Sequence, residues 1–166
     1  MVFIIARTGT ISERGKFKEE IHKALFQNND IRELLLGNTD ETDNLKLQKQ
    51  FKKYVKSHLF VDGTIQDTGT FIFYDVIFPY LRANTKECRV MMYILSHRDV
   101  LENYVKEGYY GNRVDILSQM VEDTLINNES VANSFGIGRL SLDSVNIYNS
   151  NKFYGSILVF GVPNFR

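Results

Sequence analysis

Thr70-Phe71-Ile72-Phe73-Tyr74-Asp75-Val76-Ile77-Phe78 is an almost unbroken run of β-branched and aromatic residues. Such side chains fit a pleated, half-buried surface, so the run reads as a β-strand. Gly69 breaks the chain just before it. Pro79 ends the strand or places it at an edge, because proline has no amide proton to give to a sheet ladder. A second strand is read over residues 88 to 95, where Cys88, Val90, Met92 and Ile94 alternate onto one face. Its other face is largely apolar too, which predicts a central position with cover on each side.

Upstream of this pair the period is helical. Phe17, Ile21, Ala24 and Leu25 recur on one face of a helix read over residues 13 to 36, with Lys16, Glu19, Glu20 and Lys23 turned outward. Asn28-Asn29-Asp30 breaks that run and caps a second stretch carrying Ile31, Leu34 and Leu35, and Gly37 stands where a helix ends. Residues 38 to 44 are a polar, acidic loop. A further amphipathic helix follows near 44–59, with Leu47, Phe51, Tyr54, Val55, His58 and Leu59 on one face and Lys49, Lys52, Lys53 and Lys56 on another. Asp62-Gly63 is a turn signal.

Downstream, residues 99 to 111 form a Tyr- and Gly-rich connection with room for one helical turn. Asn112 caps the best-patterned helix, which runs to about residue 127 and turns Val114, Leu117, Val121 and Leu125 inward and Asp115, Gln119 and Glu122 outward. Two strands close the chain, near 137–148 and 153–162, joined through Asn149-Ser150-Asn151. Leu140 and Leu142 alternate out of phase with Val145 and Ile147, so Asp143-Ser144 is expected to be a bulge. The expected architecture is α+β: a mostly antiparallel four-stranded sheet packed with two main helices in the order α-β-β-α-β-β, plus the extra helix near 44–59. Residues 1–166 are expected to form a single domain with a helical insertion at 38–60.

The totals limit the function. Across 166 residues, 43% hydrophobic and 24% charged, the composition is that of a globular chain able to fold without a disulfide or metal. With no Trp, the core falls to Phe, Ile, Leu and Val. Lys and Arg total 20 against 20 Asp and Glu, which argues against a dedicated nucleic-acid binder while allowing a local basic patch. The lone Cys88 has no disulfide partner in the chain, fits a reducing compartment, and reads as a buried structural thiol. The apolar start at residues 1–7 is too short for a signal peptide or span, so synthesis in the cytosol and no membrane partner are expected.

No catalytic, cofactor or metal constellation stands out, and the expectation is a non-enzyme without cofactors. His22, His58 and His97 are isolated in sequence, and His97-Arg98-Asp99 lacks a visible partner for acid–base work. The Gly136-Ile137-Gly138 triplet follows a helix and precedes a strand, the wrong order for a phosphate-cradling loop. Two surface features invite roles. On a helix, Lys49, Lys52, Lys53 and Lys56 form a stripe of one sign, either contacting phosphate or an acidic neighbour, or simply solvated. Tyr104, Tyr109, Tyr110 and Arg113 have the chemistry of a subunit interface, or of a loop folded back on its own core. The apolar end from Phe160 to Arg166 is expected to be docked.

The order of elements resembles the tail-terminator family of tailed bacteriophages. The residues that carry the resemblance are Leu34-Leu35-Leu36-Gly37, Ile77-Phe78-Pro79-Tyr80-Leu81, Asp115-Ile116-Leu117 leading to Leu125-Ile126-Asn127, and the two closing strands. The lysine-bearing helix departs from the compact family pattern. The resemblance implies a structural virion protein with an α/β sandwich, assembled as a ring, commonly a hexamer, around a channel that DNA traverses without sequence specificity. Its partners would be itself, the tail tube protein and the head connector or portal-side proteins. Another neck component, such as a head-tail adaptor or head-completion subunit, is the alternative. A small enzyme or ligand-binding domain with a dispersed site is a further one.

Overall fold

The structure is a computed structural model and describes residues 9–59, 67–82, 86–134 and 139–162. Its elements are α1 (Thr10–Gln27), α2 (Asn29–Leu36), α3 (Asn44–Tyr54), β1 (Val55–Lys56), β2 (Thr70–Leu81), β3 (Lys86–His97), a 3₁₀ turn (Arg98–Val100), α4 (Arg113–Asn127), α5 (Glu129–Ser134), β4 (Ser141–Asn149) and β5 (Phe153–Val162). Among the described residues they form one five-stranded sheet of order β1-β2-β3-β5-β4. The pairs β2–β3, β3–β5 and β5–β4 are antiparallel, and β1 lies parallel to β2. The apolar start, Asp62-Gly63, the Gly136–Gly138 pair and the chain end from Pro163 lie outside the described residues.

The α+β class holds; α5 is a helix the sequence reading did not expect, and two further differences concern the sheet. The helix expected to reach residue 59 stops at Tyr54. Val55 is extended instead, paired beside Ile72 and buried, which suits its branched Cβ better than a helix end and makes β1 the fifth strand. Secondly, β2 does not end at Pro79. The ladder to β3 skips from Ile77 to Tyr80, so the strand passes the proline through an irregularity and continues to Leu81.

Local signals account for the helix ends. The Asn28 side chain accepts from the Asp30 and Ile31 amides and starts α2, and Gly37 ends it at φ 73°. Asn112 and Asp115 exchange side-chain and backbone hydrogen bonds in a capping box at the start of α4. Gly111 (φ 102°) makes room for it, since a Cβ there would fall 2.4 Å from the Asp115 Oδ2.

The main core lies between the sheet and the helices. Phe17, Ile21, Ala24 and Leu25 of α1 and Val114, Leu117, Val121 and Leu125 of α4 are all buried, as their spacing requires, joined by Ile116 and Met120. They meet Ile72, Tyr74, Val76, Cys88, Val90, Met92, Ile94, Leu158 and Phe160. On the reverse face, Phe71, Phe73, Leu95 and Phe153 form a smaller aromatic cluster with Tyr54, Tyr93 and Tyr148 against it. β3 is therefore central, but its second face is sheltered only toward the His97 end; Arg89 is exposed. The expected bulge falls where the β4–β5 register shifts between Leu142 and Ser144.

Candidate functional site

A groove of about 530 Å³ runs between α1 and the corner where α3 turns into β1. One wall is α1, with Lys18, Glu19, His22, Lys23 and Phe26; the other brings Gln48, Lys52, Val55, Lys56, Ser57 and His58, with Tyr74 beneath. Aromatic packing fixes the floor: the Phe51 ring meets His22 edge-on at 5.4 Å and Phe26 at 5.3 Å. Lys18 closes one side. Its Nζ donates to the Ser57 carbonyl at 2.9 Å and pairs with the Asp75 Oδ1 at 2.8 Å. Lys23, Lys52 and Lys56 have no carboxylate partner among the described residues, and Glu19 is the one acid lining the groove. Burial, reinforced by the Lys52 ammonium, lowers the His22 pKa below its ordinary value.

The lysine stripe is thus divided. Lys49, Lys52 and Lys53 lie on α3, but Lys56 lies on β1, because the helix ends earlier than expected. Lys52 and Lys56 turn into the groove, while Lys49 and Lys53 face solvent. Lys52 and Lys53 also occupy the last turn of α3, where cations complement the helix dipole. The α1 contribution was missed by the sequence reading, which turned Lys23 outward and left His22 isolated. A trace of it exists: Lys18, His22 and Phe26 recur every four residues along the flank of the apolar stripe.

The Tyr-rich connection mostly folds inward. The Arg113 guanidinium lies over the Tyr104 ring at 5.2 Å and donates to the Thr70 Oγ1 at 2.8 Å and the Leu34 carbonyl at 2.6 Å. It ties α2, β2 and the connection to the start of α4. Burial, with the Glu33 carboxylate nearby, raises the Tyr104 pKa, and Tyr109 packs partly buried against the core. Lys106 pins the connection to α2 through Glu33 at 2.7 Å and Asp30 at 3.1 Å. Tyr110 stays 81% exposed and Val105 91%, so the large apolar side chains this segment presents to solvent are these two.

The sheet edges differ. Beyond β1, the Val76 carbonyl accepts from Arg14 Nε at 2.8 Å and the Val76 amide donates to Asp75 Oδ1 at 2.8 Å. The same carboxylate oxygen receives Arg14 Nη2 at 2.6 Å and Lys18 Nζ at 2.8 Å. On the far side, β4 pairs with β5 alone among the described residues. Its Val145 and Ile147 pair with Leu158 and Ser156, and so point to the helix-bearing side, yet stand 58% and 70% exposed.

The remaining candidates have local structural partners. Cys88 is buried, and burial pushes its thiol up to about 12, which keeps it protonated. The His97 Nδ1 accepts from the Asp99 amide at 3.2 Å, and Arg98 donates to the Ser150 carbonyl in the β4–β5 turn. Among the described residues no group of His, Cys, Asp or Glu could hold a metal, and no helix is long and apolar enough to cross a membrane.

Among the described residues, fold and surface define an α+β protein with its helices packed on a largely antiparallel sheet, an edge strand, β4, that pairs with β5 alone, and a cationic groove. The chain belongs to the YomW family, whose model matches residues 19–162. That family is named after a Bacillus gene product of phage or prophage type. No curated protein matches it.

Proposed function

We propose that the chain is a structural subunit of a phage neck, assembling into a ring that terminates the tail tube and joins it to the head. The open β4 edge carries this reading. Among the described residues β4 pairs with β5 alone, and a long edge strand that carries exposed Val145 and Ile147 is a template for pairing with another chain. The phage association of the family and the order of elements support the neck as its place. A closed ring needs heterologous contacts, so β4 of one copy meets a different surface of the next. The exposed Val105 and Tyr110 offer an apolar and aromatic one. Lys49 and Lys53, turned to solvent, would give DNA in the channel a contact without sequence preference. The subunit works by assembly rather than turnover, is made in the host cytoplasm and ends in the virion.

Sedimentation and light scattering across a wide concentration range test the proposal. A ring-sized particle is expected, hexameric by the resemblance, which caps growing tail tubes and binds head-connector protein. The paired change Val145→Lys and Ile147→Lys should return the particle to the subunit mass. A strict monomer at high concentration that binds neither tube nor connector protein would overturn it.

A further inference from the structure

We infer that the groove between α1 and the α3–β1 corner is a phosphate-binding site. Dispersed surface lysines lie apart or beside carboxylates, and their mutual repulsion is screened. Here Lys23 on one wall faces Lys52 and Lys56 on the other, with the rings of His22 and His58 in the same groove. None of the three ammonium groups is neutralised by a carboxylate among the described residues, and residues 44 to 59 contain no acid at all. Lys18 is already committed to Asp75 and the Ser57 carbonyl, so it holds the walls together rather than binding.

The placement is built rather than incidental. Phe51 is fully buried and fixes α3 against His22 and Phe26, while Val55 is anchored beside Ile72, so Lys52 and Lys56 leave a rigid corner. Lys52 sits close enough to His22 to disfavour a proton on it. An anion between them removes that penalty and gains donors from both walls. A phosphate suits the groove better than a single carboxylate, since its several oxygens can accept from opposing ammonium groups and it carries more charge. At about 530 Å³ the groove has room for a phosphate-bearing small molecule or one stretch of a nucleic-acid strand, and not for a duplex. The site holds whether or not the chain forms a ring.

The test uses the full chain and follows the ring signals of His22 and His58 by NMR while pyrophosphate is added. Both rings should shift, and the His22 titration midpoint should rise on binding. The double variant Lys52→Gln, Lys56→Gln should weaken pyrophosphate about tenfold or more, whereas Lys16→Gln, Lys152→Gln, both exposed and outside the groove, should stay within about twofold. Lys23→Gln, on the other wall, provides a second variant should the first not fold. A short oligothymidylate binding about tenfold more tightly than pyrophosphate identifies a strand as the source of the phosphate; equal or weaker binding identifies a free one. Unshifted rings at tens of millimolar pyrophosphate overturn the site, as does equal weakening in both double variants. Binding of a short oligoglutamate that pyrophosphate cannot displace overturns it in favour of an acidic protein partner.

Discussion

At the β2 edge, both backbone groups of Val76 are engaged by side chains, Arg14 on the carbonyl and Asp75 on the amide. At the β4 edge nine residues run without a second strand among the described residues and carry two largely exposed branched side chains. The first arrangement takes charged groups partly out of water to shut an edge. The second presents, among the described residues, a strand edge and apolar surface where a lysine or proline would have been cheap protection. A chain under pressure only to remain monomeric would close both. On the proposed reading, that contrast is what marks β4 as the strand that meets a neighbouring copy.

The largest effect is expected from breaking the closed edge at its centre. Asp75→Ala leaves Arg14 and Lys18 without their shared acceptor and strips the Val76 amide, so a loss of about 2–3 kcal/mol is expected in urea unfolding. The acid response gives a second reading of the same residue. Burial alone would raise the Asp75 pKa, but hydrogen bonds from Lys18, Arg14 and the Val76 amide outweigh it and hold the carboxyl below its ordinary value. A group depressed in the folded state contributes fully above its unfolded value near about 4, and the contribution is lost as pH falls through the folded one. Wild-type stability should therefore drop on acidification below about pH 4, with a shallower drop in the variant. Identical acid profiles would mean that the cluster does not hold the edge.

Arg14→Met is a milder break. The aliphatic stem keeps its packing and Lys18 still pairs with Asp75, so about 1 kcal/mol is expected to be lost. The Val76 carbonyl is then free, and the sheet is open at both ends. Light scattering should show larger, less uniform assemblies than wild type at the same concentration. An unchanged size distribution would show that Arg14 does not guard this edge.

The two edges were unequally legible in the sequence. Period and caps announced the layers, since alternation in residues 88 to 95 and spacing in α1 and α4 follow directly from which side chains must leave water. Asp143-Ser144 could be read as a bulge because the phase of the apolar residues slips there. The closed edge could not be read, because Arg14 and Asp75 are far apart in sequence and neither breaks a local pattern. The same holds for the groove. Lys52 and Lys56 were visible as a charged stripe, but the early end of α3 depends on Val55 finding Ile72, a tertiary contact that overrides a helical period. Tyr104 and Arg113 were visible as interface chemistry, and only the fold reveals that Arg113 spends its donors on Thr70 and Leu34.

The smallest effect on stability is expected at the open edge, and its smallness is what gives it value. Val145 and Ile147 already stand mostly in solvent, so replacing both with lysine removes little buried area and adds a side chain that edge strands tolerate well. The double variant should lie within about 0.5 kcal/mol of wild type in urea unfolding, measured at a concentration low enough that assembly does not contribute. Combined with a fall to the subunit mass, that result would separate assembly from folding: the edge would matter to neighbours and hardly at all to the chain itself. A loss above about 1.5 kcal/mol would instead put Val145 and Ile147 in the folded core. The contrast between a guarded and an open edge would then fail, and the ring would have to close through some other surface.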